Sequence, residues 1–173
     1  MGKGIVHGLV PYRDLYEQKG PILYFLHALC YLIPGDHFFG VYLLETAAFT
    51  AFSYYAGKII CLYLPSSAPY WILPVLSGLV LSSESFCQGD SAEELCAALL
   101  MITFYYTLEY FTRRYPLSIS YRTLLINGIF AGIILWVKYT LLGFHLAFMA
   151  MLFFIMVSEK AYARSIKSCF VFL

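Results

Sequence analysis

The densest group of chemically active side chains is the stretch Pro11-Tyr12-Arg13-Asp14-Leu15-Tyr16-Glu17-Gln18-Lys19-Gly20-Pro21. Two cations, Arg13 and Lys19, enclose two carboxylates, Asp14 and Glu17, directly ahead of an apolar run. Cations held at a membrane surface suit phosphate recognition. A carboxylate beside them can bind a divalent cation, orient a hydroxyl or act as a general base. Gly20 leaves space for a headgroup to approach the backbone. The same stretch also reads as an ordinary charged loop whose Lys and Arg reach for the headgroups.

A second group is Gln88-Gly89-Asp90-Ser91-Ala92-Glu93-Glu94. Ser91 has the chemistry of a helix cap, and Glu93 and Glu94 fall in the first turn, where the helix dipole favours acids. The alternative is that these acids are used in chemistry. Lys138 lies between two apolar stretches, and Glu45 lies inside another. Intramembrane charges face a cavity or a partner as a rule, although Lys138 can also snorkel from a hairpin tip. His7, His27, His37 and His145 lack the spacing of metal ligands and read as interface or packing residues. Cys30, Cys61, Cys87, Cys96 and Cys169 are scattered and read as small lipid- or core-facing residues. No metal site is assigned, and a divalent cation stays open only through the carboxylates.

The elements that must position these groups are apolar. Hydrophobic residues make up 61% of the chain and charged residues 12%, against roughly 45–50% and 25% in an average soluble domain. Several blocks approach the roughly 20 apolar residues that one spanning helix needs. They do not alternate as barrel strands would. The fold class expected is therefore all-α, a polytopic transmembrane bundle of about five spanning helices with an amphipathic interfacial helix near the amino terminus. The net charge of +1, with no basic stripe, argues against nucleic acid.

The first apolar run, Pro21 to Pro34, is about 21 Å long at ~1.5 Å per residue, short of a ~30 Å hydrocarbon core. It is expected to lie on or dip into one leaflet, with Tyr24, His27 and Tyr31 at headgroup level. Phe38 to Leu64, Tyr70 to about Phe86, and Leu95 to Phe111 are expected to span. Thr123 to Val157 is too long for one helix, so Lys138-Tyr139-Thr140 with Gly143 is expected to turn a hairpin. The chain divides into an extracytoplasmic loop with an interfacial helix (1–37), transmembrane helices (38–158) and a cytoplasmic tail (159–173). Arg113, Arg114 and Arg122 share a loop, and Lys58 approaches the same side, as do Lys160, Arg164 and Lys167. The excess of Lys and Arg places that side in the cytoplasm. Residues 1–20, the Glu84–Glu94 loop and Lys138 then converge on the opposite side.

Three segments carry a family resemblance. His7-to-Leu29, HGLVPYRDLYEQKGPILYFLHAL, resembles a segment of bacterial polytopic glycosyltransferases of the GT-C class, the relatives of protein O-mannosyltransferases and aminoarabinose transferases. CQGDSAEELCAALL and GIILWVKYTLLGF resemble two later segments of that family in the same order, with Gln88 and Asp90 as departures. The resemblance implies transfer of a sugar from a polyprenyl-phosphate carrier to a glycan, lipid or protein acceptor, at a site on the extracytoplasmic side of a bacterial plasma membrane. It implies that Lys19, with Arg13 and Lys138, faces the carrier phosphate. It implies catalytic roles for Asp14, Glu17, Glu93 and Glu94. The family's main catalytic aspartate stands on a helix upstream of the first segment, so the chain is expected to be truncated at both ends and incomplete as an enzyme. The alternative expectation is a non-catalytic remnant, or a small lipid-binding or transport component. A transporter would show polar residues through its helix middles; here they gather at one face.

Overall fold

A computed structural model describes residues 1–15, 18–34, 38–84, 86, 89, 91–115, 119–158 and 168–172. Its regular structure is helical: α1 (Gly2–Val6), α2 (Pro21–Tyr31), α3 (Phe39–Tyr63), α4 (Pro69–Leu81), α5 (Ala92–Arg113), α6 (Tyr121–Lys138) and α7 (Gly143–Ser158). A 3-10 turn, Tyr139–Leu142, joins α6 to α7. Among the described residues there is no strand, only an isolated bridge between Pro11 and Leu15.

Local chemistry sets most of the boundaries. Pro21 opens α2, where a missing N–H costs nothing. Ser91 and Glu94 close a reciprocal capping box on α5: Glu94 N–H donates to Ser91 Oγ at 3.2 Å, and Ser91 N–H to Glu94 Oε2 at 3.3 Å. Ser120 caps α6 by accepting from the Thr123 amide at 3.3 Å. Lys138 adopts an extended backbone, φ −156° and ψ 96°, which ends α6 where the hairpin is expected to turn.

Two helical stretches are long and apolar enough to cross a membrane: Ala92–Arg113 (22 residues) and Tyr121–Ser158 (38 residues). The second does not run straight. Leu124 shares a buried cluster with Phe148, Leu152 and Met156. A continuous helix would hold Leu124 and Met156 roughly 48 Å apart at 1.5 Å per residue, so α7 folds back along α6. Gly128 on α6 admits a later segment, residues 168–172, since a Cβ there would meet the Phe172 carbonyl oxygen at 2.1 Å.

The other runs depart from expectation. α3 has 25 residues and the length to span. Glu45, Lys58 and the tyrosines at 42, 54, 55 and 63 dilute its hydropathy, and it is not among the two apolar candidates. α4 stops at Leu81 after 13 residues, about 20 Å of helix. The helix expected to reach Phe86 therefore ends early, because Ser82 and Ser83 turn their hydroxyls back onto the Gly78 and Val80 carbonyls. α2 is short as expected, with 11 residues. Tyr24 corrects the headgroup expectation: it is 2% exposed, packed with Leu23, Ala92, Cys96, Ile134 and Val137. The outward face of α2 is apolar too, through Phe25, Leu29 and Leu32, so the helix is not amphipathic in the polar sense. α1 was not expected. It fits because Gly2 lies against the backbone of His27 and Ala28, where a Cβ would come within 2.3 Å.

α3 and α5 run parallel: Glu45 and Glu94 border one cavity, the Tyr55 and Tyr105 rings lie 5.6 Å apart at a tilt, and Tyr63 Oη lies 3.1 Å from Thr112 Oγ1. α6 runs antiparallel to α5, pairing Lys138 with Glu93 at one end and bringing Arg122 beside Arg114 at the other. The two ends stand about 30 Å apart along α5.

Candidate functional site

The site is built where α2, α5 and α6 meet. Gly20 ends the amino-terminal loop against the last turn of α6. Its N–H donates to the Val137 carbonyl at 3.0 Å. A Cβ on residue 20 would stand 1.7 Å from the Trp136 carbonyl oxygen. Gly20 thus admits the backbone of α6, where a headgroup was expected. Lys19 is fixed from both sides of its own backbone: its N–H donates to Tyr24 Oη at 3.1 Å, and its carbonyl accepts from Tyr12 Oη at 2.7 Å. The two tyrosine rings lie 5.8 Å apart.

Lys138 donates from Nζ to Glu93 Oε1, an ion pair with both side chains about one-third exposed. Lys19 adds to the positive field at the same carboxylate. Lys19 and Lys138 line one open cavity of about 1030 Å³, with Tyr12, Gly20, Trp136 and Tyr139. The structure therefore brings together residues 19, 93 and 138, one from each of the three segments singled out in the sequence.

Glu94 does not join them. Successive helical residues project about 100° apart. Glu94 turns to its capping box and borders a separate cavity of about 250 Å³ with Glu45, Phe86 and α3. Asp14 and Arg13 do not join them either. Asp14 accepts from Arg13 Nε at 2.9 Å, from Arg13 Nη2 at 2.8 Å, and from the Val10 amide at 2.8 Å. These bonds staple a tight loop in which Tyr12 takes φ +66°, a conformation uncommon outside glycine. The Arg13 guanidinium, and then the Val10 amide, hold the Asp14 carboxyl below the ordinary carboxylate range, and Arg13 is raised in turn. A carboxylate so occupied is a weak proton acceptor. Glu17 lies outside the described residues, as do Cys87, Gln88, Asp90 and the basic residues 160, 164 and 167.

Among the described residues no three His, Cys, Asp or Glu side chains gather as a metal cluster. The described carboxylates of the site are engaged by an ammonium, a guanidinium or amides.

Two further features carry no local signal in the sequence. Tyr12 and Tyr24 act as positioning hydroxyls for Lys19, where Tyr24 had suggested only an interface ring. In the α6–α7 hairpin, Asn127 donates to the Thr123 carbonyl at 2.9 Å. Asn127 Oδ1 and both ring nitrogens of His145 are buried with no partner among the described residues. Such atoms cost on the order of 1–3 kcal/mol each.

No protein-family model matches this chain, and no curated protein or solved structure matches it either.

Proposed function

We propose that this chain is the core of a polytopic membrane glycosyltransferase, which moves a sugar from a polyprenyl-phosphate carrier to an extracytoplasmic acceptor. The observation that carries the reading is the cavity that joins Lys19 and Lys138 beside Glu93. Two cations over one opening suit a phosphate that must leave as an anion, and the apolar surface of α2 and α6 suits its prenyl tail. In this reading α3, α5, α6 and α7 span, with α2 lying on one leaflet; because α3 and α5 run parallel, α4 and the segment after it carry the chain back across between them.

The chemistry follows from the pair. Carrier phosphate draws the Lys138 ammonium away from Glu93, and Lys19 binds the same phosphate from the loop. Glu93, now released, accepts the proton of the acceptor hydroxyl. The acceptor oxygen bonds to the anomeric carbon as the bond from that carbon to the phosphate oxygen breaks. Polyprenyl phosphate leaves with its charge held by the two lysines. Asp14 and Arg13 hold the loop in shape, and Glu94 holds the start of α5.

Release of polyprenyl phosphate from a labelled polyprenyl-phosphate sugar by the reconstituted chain tests the reading. Wild type should release it in the presence of an acceptor, and Glu93→Gln should lower the rate while the carrier still binds. Binding with no release by wild type would favour a lipid-binding component instead.

A further inference from the structure

The opposite end of the bundle carries a second cavity, of about 440 Å³, between the end of α3, the end of α5 and the start of α6. Lys58, Arg114 and Arg122 line it, with Glu109 as the single carboxylate among the described lining residues and Ser120 and Thr123 beside them. Lys58 is held in place by aromatic faces, its Nζ lying 5.0 Å from the ring centre of Tyr54, 5.7 Å from Tyr55 and 5.1 Å from Tyr105. Glu109 is drawn toward Tyr105, whose hydroxyl donates to it at 3.3 Å. Among the described residues neither the Arg114 nor the Arg122 guanidinium has a carboxylate partner. The amino-terminal end of α6, an 18-residue helix, adds its positive dipole end at Ser120.

The general excess of Lys and Arg on a cytoplasmic side accounts for exposed arginines in a loop. It does not account for a cavity shared by three helix ends, nor for a lysine from a third helix held among tyrosine rings on its edge. Three cations against one carboxylate leave the cavity short of negative charge. Two guanidinium forks match the oxygens of a phosphate better than those of a halide or a single carboxylate. We propose that this cavity binds a phosphate group, contributed by an anionic phospholipid headgroup or by a soluble phosphate, on the side of the membrane opposite the Lys19–Lys138 cavity. The site is independent of the glycosyltransferase reading, since it shares no residue with it.

The test uses the full chain in nanodiscs of phosphatidylcholine doped with phosphatidic acid, with retained lipid counted by native mass spectrometry. Wild type should retain phosphatidic acid over phosphatidylcholine. Arg114→Gln/Arg122→Gln should lower that retention about tenfold or more, the scale of lost charge-assisted hydrogen bonds. Arg114→Lys/Arg122→Lys should keep part of it, because charge survives and the fork does not. Lys19→Ala should leave it unchanged, which separates this site from the other end. Millimolar inorganic phosphate that displaces the lipid identifies a soluble phosphate as the ligand; lipid retained against phosphate identifies the headgroup. Equal retention of the two lipids by wild type, or retention unchanged in Arg114→Gln/Arg122→Gln with the helical content intact, would overturn the proposal.

Discussion

The two ends of the α5–α6 pair are both cationic, yet they are built in opposite ways. At the Lys138 end the charge is compensated and the backbone is locked. Glu93 answers Lys138, Gly20 is pressed onto the Trp136 carbonyl, and Leu23 and Tyr24 are buried beneath. At the Arg122 end the charge is left open, on exposed side chains around a polar cavity. A compensated pair can exchange partners when a ligand arrives, whereas an uncompensated cluster waits for its counter-ion. The first arrangement suits a step in which a proton and a leaving group change hands. The second suits simple binding.

The largest effect that would break this contrast is at Gly20. Gly20→Ala drives a Cβ into a backbone oxygen that cannot swing aside, so it should destabilise the chain by about 3 kcal/mol or more. Thermal unfolding in detergent should show a clear drop in midpoint. Gly132→Ala is the control, since a Cβ there meets nothing within 4 Å.

The Glu93–Lys138 pair comes next. Removing one partner leaves a half-buried charge without its mate. With both side chains about one-third exposed, solvent reduces the usual buried-pair penalty to about 1–2 kcal/mol. Glu93→Gln and Lys138→Met should each lower stability. The double variant should recover part of the loss, and a double-mutant cycle on unfolding midpoints measures the coupling. Additive losses would mean that the two side chains do not depend on each other.

The smallest effect is at Asp14, on the surface loop. Its folded carboxyl titrates below the ordinary range because Arg13 and then the Val10 amide favour the charged form. Its contribution to loop order is therefore present above the ordinary carboxylate pKa and is lost as the pH falls through the depressed folded value. Carboxyl-carbon NMR of labelled aspartate should find this low midpoint, and Arg13→Ala should move it up toward the ordinary value. A midpoint already ordinary in wild type would remove the staple from the account.

What was legible in the sequence was mostly local. Ser91 and Glu94 are three residues apart, so their capping box follows from spacing alone. Pro21 announces the start of α2, and Lys138 with Gly143 announces the break in the last apolar block. The gathering of Lys58 with Arg114 and Arg122 at one end was legible as a charge pattern, although its cavity was not. The pairing of Glu93 with Lys138 depends on the register of α5 against α6, which no local signal carries. The division of labour between Glu93 and Glu94 depends on the same register: one step along a helix sends the two acids to different cavities. Tyr24 misled because an aromatic ring near a charged loop looks like an interface anchor, whereas its hydroxyl holds the Lys19 amide from inside the core. The serines after Leu81 ended α4 by turning onto its carbonyls, a competition that hydropathy does not register. Asp14 had the residue type of a base, but its neighbour Arg13 occupies both of its oxygens.

The central claim is that Lys19 and Lys138 hold a carrier phosphate over the cavity they share. Affinity for a polyprenyl phosphate, measured on the chain in nanodiscs of zwitterionic lipid, tests it most directly. Lys19→Ala should weaken binding by about 1.5–3 kcal/mol, the range of a hydrogen bond to a charged group, with Lys19→Arg milder and Arg114→Gln without effect. Unchanged affinity in Lys19→Ala, with folding intact, would contradict the account.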